Sequence, residues 1–318
     1  MHRSEHRFNT IKQIYRFLAI AGLALASAGA VAQSDGQTDG QGGAASTPAP
    51  PAGSVGGLGD VNLFPKRVVL EGRRQISSIG LYNKTANEGD YEIRLVDMAM
   101  TTEGRLISFD NGLSEADKAR VKAASAFLRY SPRRVTLRGS EAQTIRIMAR
   151  AGAELPDGEY RSHFMVTAIP RDTGGFSIEN ATNQAGDTGI GVTIRPRFGI
   201  SIPVIVRIGE TTLNVGITNA RLLTARDGSQ AVAFTLTRAG TRSAFGDLAI
   251  TRKGASEPLV IAKGIGVYPE VDHRDLLLPI ERAADQPPVT SGTQITISYV
   301  DDDFAPGSQL AETSFTVP

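Results

Sequence analysis

The stretch IGVTIRPRFGISIPVIVRI, Ile190 to Ile208, decides how this chain is read. Its apolar residues fall at every second position: Ile190, Val192, Ile194, Pro196, Phe198, Ile200, Ile202, Val204, Val206 and Ile208. Strand side chains alternate between two faces, so this period marks a β-strand with one apolar face. At about 3.3 Å per residue the run would extend roughly 60 Å, whereas an ordinary strand has only about five or six residues. A single small sandwich cannot cover an apolar stripe of that length. Part of it is expected to close a domain, and part to project beyond the core or to be offered at a sheet edge. Arg195 and Arg197 on the opposite face guard such an edge, and Pro196, which cannot donate to a ladder, marks a break in pairing.

Working outward, short strand-like runs precede the stretch at Val68–Leu70, Gln75–Tyr82, Tyr91–Met98, Val135–Leu137, Thr144–Ala149 and His163–Ile169. One helix interrupts them. Ser114 offers an N-cap with Glu115 and Asp117 in the first turn, and Ala116, Ala119, Val121, Ala123, Ala124 and Phe127 supply an apolar face before Ser131-Pro132. A Gly/Asn/Thr/Asp-rich loop from Arg171 to Gly189 delivers the chain into the long run. After Gly209, strand-like runs recur at Leu213–Val215, Val232–Leu236, Leu248–Ile250, Leu259–Ala262, Leu276–Ile280, Ile295–Tyr299 and Phe315–Val317. That spacing, with turn signals and no helix, predicts an immunoglobulin-like sandwich. The fold class is therefore all-β, two immunoglobulin-like sandwiches in tandem with a short helical insertion in the first. The expected boundaries are 61–208 and 209–318.

Residues 1–32 read as a cleaved secretory signal peptide. Arg3, Arg7, Lys12 and Arg16 make a basic start, Phe17 to Val31 an apolar stretch, and Ala30-Val31-Ala32 a small-x-small cleavage pattern. The Gly/Ser/Pro/Gln-rich segment 33–60 reads as a flexible spacer. Lys and Arg total 34 against 33 Asp and Glu, spread along the chain, so nothing marks a nucleic-acid partner. The chain has no cysteine, which removes thiol catalysis and thiolate metal sites. Beyond the signal only His163 and His273 remain, with no metal-ligand spacing, nucleophile elbow or phosphate loop around them. His163, within a strand pattern, reads as a satisfied or half-buried histidine. Asp301-Asp302-Asp303 reads as a solvated turn in preference to a calcium site. No enzyme, cofactor, metal or small-molecule substrate is expected.

An ordered series of segments carries a resemblance. Phe64-Pro65-Lys66-Arg67-Val68-Val69-Leu70-Glu71-Gly72 opens the first domain, and Leu81-Tyr82-Asn83 follows. Ser131-Pro132-Arg133-Arg134-Val135-Thr136-Leu137 leads to Gln143-Thr144-Ile145-Arg146-Ile147. Leu155-Pro156-Asp157-Gly158-Glu159-Tyr160 leads to Ala168-Ile169-Pro170, and Ile202-Pro203-Val204-Ile205-Val206-Arg207 closes the series. This resembles the N-terminal domain of periplasmic pilus (fimbrial) assembly chaperones, the PapD-like family, over roughly residues 61 to 208. The resemblance implies a chaperone that stabilises pilus subunits by donor-strand complementation, passing them to an outer-membrane usher. Strand addition of this kind draws affinity from main-chain hydrogen bonds and specificity from alternate side chains.

The donated residues would be Ile194, Phe198, Ile200 and Ile202, with Val192 as an extension. The resemblance further implies that Arg67, with Lys66 beside it, anchors the subunit's terminal carboxylate. The family's second anchoring cation falls at Pro203, which has no charge. The family's acidic partner of the closing-strand arginine falls nearer Arg161 than Glu159, so Arg207 is expected to pair elsewhere. The alternative reading is a structural or adhesive cell-surface protein built from the same sandwich domains.

Overall fold

A computed structural model of the chain describes residues 55–56, 60–170, 197–255, 257–281 and 287–318. In the first sandwich, one sheet runs β1 (Val55–Gly56), β2 (Val61–Phe64), β4 (Ile76–Asn83), β10 (Ala142–Ala149), β8 (Leu128–Ser131). The facing sheet runs β3 (Val68–Glu71), β12 (Gly199–Ile208), β11 (Gly158–Ile169), β5 (Gly89–Val96), β9 (Arg134–Leu137). The chain changes sheet between β2 and β3 at Pro65, which has no N–H to continue a ladder. Period-two patterning fixes which faces meet. Ile145 and Ile147 of β10 and Ile79 and Leu81 of β4 point inward, against Tyr91, Ile93, Phe164, Val166, Val204 and Val206 of the other sheet. A one-residue slip would turn this whole set toward water, so the register is strongly specified.

The second sandwich pairs β13 (Leu213–Thr224), β14 (Gln230–Gly240) and β17 (His273–Pro279) in one sheet. Its other sheet runs β16 (Val260–Val267), β15 (Ala244–Arg252), β18 (Gln294–Asp301), β19 (Gln309–Thr316). All seven runs expected after Gly209 coincide with strands, with Leu259, Ile280 and Val317 one residue outside theirs. Phe234, Leu236, Leu248, Ile250, Ile295, Ile297 and Tyr299 fill the core between the two sheets.

Of the long run, Gly199–Ile208 forms a strand, and residues 190–196 lie outside the described residues. One expectation about local structure is corrected. The helix α1 is Glu115–Arg120, shorter than its apolar face implies, and buries none of its residues. Ser114 caps it by accepting from the Asp117 N–H at 3.1 Å. Val121 ends it in an extended conformation, because the apolar residues beyond do other work. Ala124 and Leu128 pack into the first core, and Ala123 bridges to Arg161 of β11. No helix among the described residues is long and apolar enough to cross a membrane.

The first sandwich also packs its β3–β12–β11 sheet against the second sandwich. Ile205, the one large aliphatic side chain on the odd-numbered face of β12, is fully buried in the second core beside Met100 and Val69. Met100 belongs to a hairpin, β6 (Met98–Met100) and β7 (Leu106–Ser108), which reaches the same place. The Asp275 N–H of β17 donates to the Thr102 carbonyl in this hairpin's turn at 2.8 Å. The result is that β11 and β12 are buried on both faces over Gly158–Phe164 and Val204–Ile208.

Candidate functional site

β12 has two different halves. Its antiparallel pairing with β11 is continuous from Gly158↔Ile208 to Thr167↔Gly199. Its pairing with β3 is parallel and spans only Val204↔Val68 to Arg207↔Glu71. Toward its start, β12 therefore has one free edge among the described residues, over Gly199–Pro203. The Ala168 N–H donates to the Phe198 carbonyl at 3.0 Å, and the Gly72 N–H to the Arg207 carbonyl at 2.7 Å. These two bonds fix the parity. Even-numbered residues turn their backbone groups to β11, odd-numbered ones to β3 or, before Val204, to the open edge.

The open edge thus presents the N–H and C=O of Gly199 and Ser201 and the C=O of Pro203. Pro203 sits where a proline is tolerated, its nitrogen facing away from the β11 ladder, and it stands at the point where β3 pairing stops. The side chains grade along the same strand. Phe198 is 45% exposed, Ile200 is half-buried and Ile202 is 1% exposed in the first core. Val192 and Ile194 lie outside the described residues.

Lys66 and Arg67, in the β2–β3 turn, meet the β18–β19 loop of the second sandwich. Lys66 Nζ and the Arg67 guanidinium both hydrogen-bond the Asp302 carboxylate. Arg67 also donates to the Asp302 carbonyl at 2.7 Å, lies 3.3 Å from Asp303, and stacks 4.5 Å from the Phe245 ring centroid. Burial pushes the Asp302 carboxyl up, but the hydrogen bonds and charges of Lys66 and Arg67 outweigh it and hold the group below the usual carboxylate range. The acidic run is therefore not a solvated turn. Asp301 accepts the N–H groups of Asp303, Phe304 and Ala305, while Asp302 and Asp303 take the cations. Among the described residues no group of three or more acids or histidines is arranged to hold a metal ion.

Arg207 does not pair elsewhere. Glu159 lies directly across from it in the β11–β12 ladder, and its carboxylate accepts from Arg207 Nε at 3.2 Å. Arg207 also contacts Asp303 and, at 3.3 Å, Glu71. Burial disfavours the Arg207 charge, yet Glu159 and Asp303 more than offset this and raise its pKa. Glu159 in turn takes the Ser243 hydroxyl and, at 3.2 Å, the Ser243 N–H.

Two residues further along β11, Arg161 holds Glu270 at 2.7 Å and the Met98 carbonyl at 2.9 Å, with Tyr268 stacked 3.5 Å from its guanidinium carbon. His163 comes next on this face and is neither satisfied nor half-buried. It is 1% exposed, and neither ring nitrogen has a hydrogen-bond partner among the described residues. The signal for this contact was present as Glu159, Arg161 and His163 at period two, opposite Arg207, Ile205 and Pro203.

No protein-family model matches the chain, and no curated protein does. It is similar to solved structures of chaperones. The periplasmic chaperone SfaE shares 13% identity, with 80% of this chain and 98% of that one covered and a TM-score of 0.37. The Salmonella enterica SafA pilin–SafB chaperone complex gives 14% identity, 83% and 99% coverage and a TM-score of 0.40. The CsuC–CsuE chaperone–tip adhesion subunit pre-assembly complex of Acinetobacter baumannii gives 13% identity, 80% and 96% coverage and a TM-score of 0.38. At such values the architecture rests on this chain's own strand pairing, and no residue role is carried over.

Proposed function

We propose that this chain is a periplasmic, non-enzymatic chaperone that holds pilus or fimbrial subunits by donating the head of β12 to them, before delivery to an outer-membrane usher. The observation that supports this reading is the half-open strand. Among the described residues, Gly199–Pro203 lacks a neighbour on one edge while its root is locked between two cores. An unpaired edge is normally capped or used. Here it carries exposed Phe198 and half-buried Ile200, side chains worth roughly 1.5–3 kcal/mol each on full burial, before ordering costs. Val192 and Ile194, outside the described residues, continue the same period two in the sequence, and Ile202 carries it into the chain's own core. Lys66 and Arg67 would orient the subunit's terminal carboxylate, which would have to displace Asp302 from them.

The test is to co-express the chain with a fimbrial subunit lacking its own last strand. The wild-type chain should yield a one-to-one complex, and Phe198→Asp/Ile200→Asp should lose it while keeping its circular dichroism. Unchanged capture by the folded double variant would contradict the reading. Polymers of this chain alone would favour the structural or adhesive alternative, in which the same edge takes a strand from another copy.

A further inference from the structure

The other sheet of the first sandwich carries a cluster that the β12 edge does not use. On β10, Ile145, Ile147 and Ala149 point into the core, so Thr144, Arg146 and Met148 point out. Pairing sets Arg146 across from Ser78 and Ser131, and Met148 across from Ile76 and Arg129. Just beyond the strand end, the Ala149 N–H donates to the Gln75 carbonyl and the Ala151 N–H to the Arg73 carbonyl, which places Arg150 opposite Arg74. With strands about 4.8 Å apart and same-face residues about 6.7 Å apart, the four arginines share a patch on the order of 10 by 15 Å.

All four are exposed, and none forms an ion pair among the described residues. Their neighbour Arg73 is different, being committed to the Gly152 and Leu155 carbonyls and to Asp157. The rows between the four hold no acid, and Glu154, packed beside Gly152, pairs with none of them. Clustered like charge without counter-charge does nothing for folding. Two of the four are nonetheless held in place. Arg129 donates to the Ala126 and Leu128 carbonyls at 2.9 and 2.8 Å, and Arg150 Nε lies 3.5 Å from Met148 Sδ. Ile76, 62% exposed, and Met148 form an apolar centre, beside a groove of about 460 Å³ between Arg74 and Arg150.

We propose that this face docks an acidic protein surface, one that presents carboxylates around a small apolar contact. Planar guanidinium forks match carboxylates bidentately. An apolar centre containing Met and ringed by Arg has the composition of a protein–protein contact. A lipid surface would also attract these cations, but surface-binding segments add exposed aromatic wedges, and no exposed aromatic lies in these rows. Since the face belongs to the sheet opposite β12, a subunit strand on the β12 edge leaves it open for a second partner. The inference stands independently of the chaperone reading.

The test uses the full chain and two probes, a labelled synthetic peptide alternating Glu and Val, and phosphatidylglycerol vesicles. The peptide should bind, with affinity falling as salt is raised. Arg146→Glu/Arg150→Glu, and independently Arg74→Glu/Arg129→Glu, should weaken binding by at least about tenfold, equivalent to about 1.4 kcal/mol. Arg221→Glu/Arg226→Glu on the second sandwich should leave it unchanged. Equal binding by all variants, no binding of the peptide, or binding to vesicles alone would overturn the proposal.

Discussion

Arg207 of β12 and His163 of β11 show how one face of the sheet holds two opposite electrostatic situations. Arg207 has Glu159 and Asp303 within reach, and the Glu159 side chain is fully buried, so removing the guanidinium strands a carboxylate without solvent. Breaking a buried pair from one side costs about 3–5 kcal/mol. Arg207→Ala should lose that much in urea unfolding; a loss under about 1 kcal/mol would show that Glu159 and Asp303 are satisfied without it. His163 is the reverse, an uncharged group with no partner among the described residues. Burial first, then the nearby Arg161 charge, push its pKa down from 6.5 to about 3.

The unfolded chain takes up the His163 proton near pH 6.5 and the folded chain only near pH 3. Between those values the unfolded state binds more protons, and stability falls as pH drops. The window from pH 6.5 to 5 should cost the wild-type chain about 1.6 kcal/mol that His163→Leu does not lose, read from urea midpoints. Parallel pH profiles for the two proteins would contradict this.

At the scale of the element, β12 explains what was legible in the sequence and what was not. Period two located the strand, its inward face and the seven strands of the second sandwich, because alternation is imposed by the core each strand covers. The same pattern did not show which edge of β12 is paired, since backbone hydrogen bonding leaves no mark on side-chain period. It also hid the contact between the sandwiches. Ile205 reads as one stray apolar residue among Ser201, Pro203 and Arg207, yet it fills the second core. Arg207 and Glu159 are adjacent only through the β11–β12 register, so sequence alignment by segment placed the acid wrongly.

The backbone parity of β12 yields a sharper test than side-chain removal. Ser201 turns its N–H to the open edge, so Ser201→Pro should remove a donor available to a subunit strand without touching the β11 ladder. Ile200→Pro should instead remove a β11 hydrogen bond and destabilise the free chain. Loss of subunit capture by Ser201→Pro with an unchanged thermal midpoint is the expected outcome; retained capture would argue against strand addition.

For the whole molecule, the second sandwich is what makes a half-open strand possible. It buries Ile205, and its Ser243 and Asp303 engage Glu159 and Arg207 at the strand's root. Its Asp302 holds the Lys66–Arg67 turn next to β3. Locked there, the strand can leave Gly199–Pro203 unpaired without fraying back into the sandwich. Site-resolved amide hydrogen exchange tests this account most directly, comparing the free chain with its complex with a fimbrial subunit that lacks its last strand. The Gly199 and Ser201 amides should exchange rapidly in the free chain and become strongly protected in the complex, while Ile202 and Val204, bonded to β11, stay protected in both. Rapid exchange at Gly199 and Ser201 in the complex would contradict it.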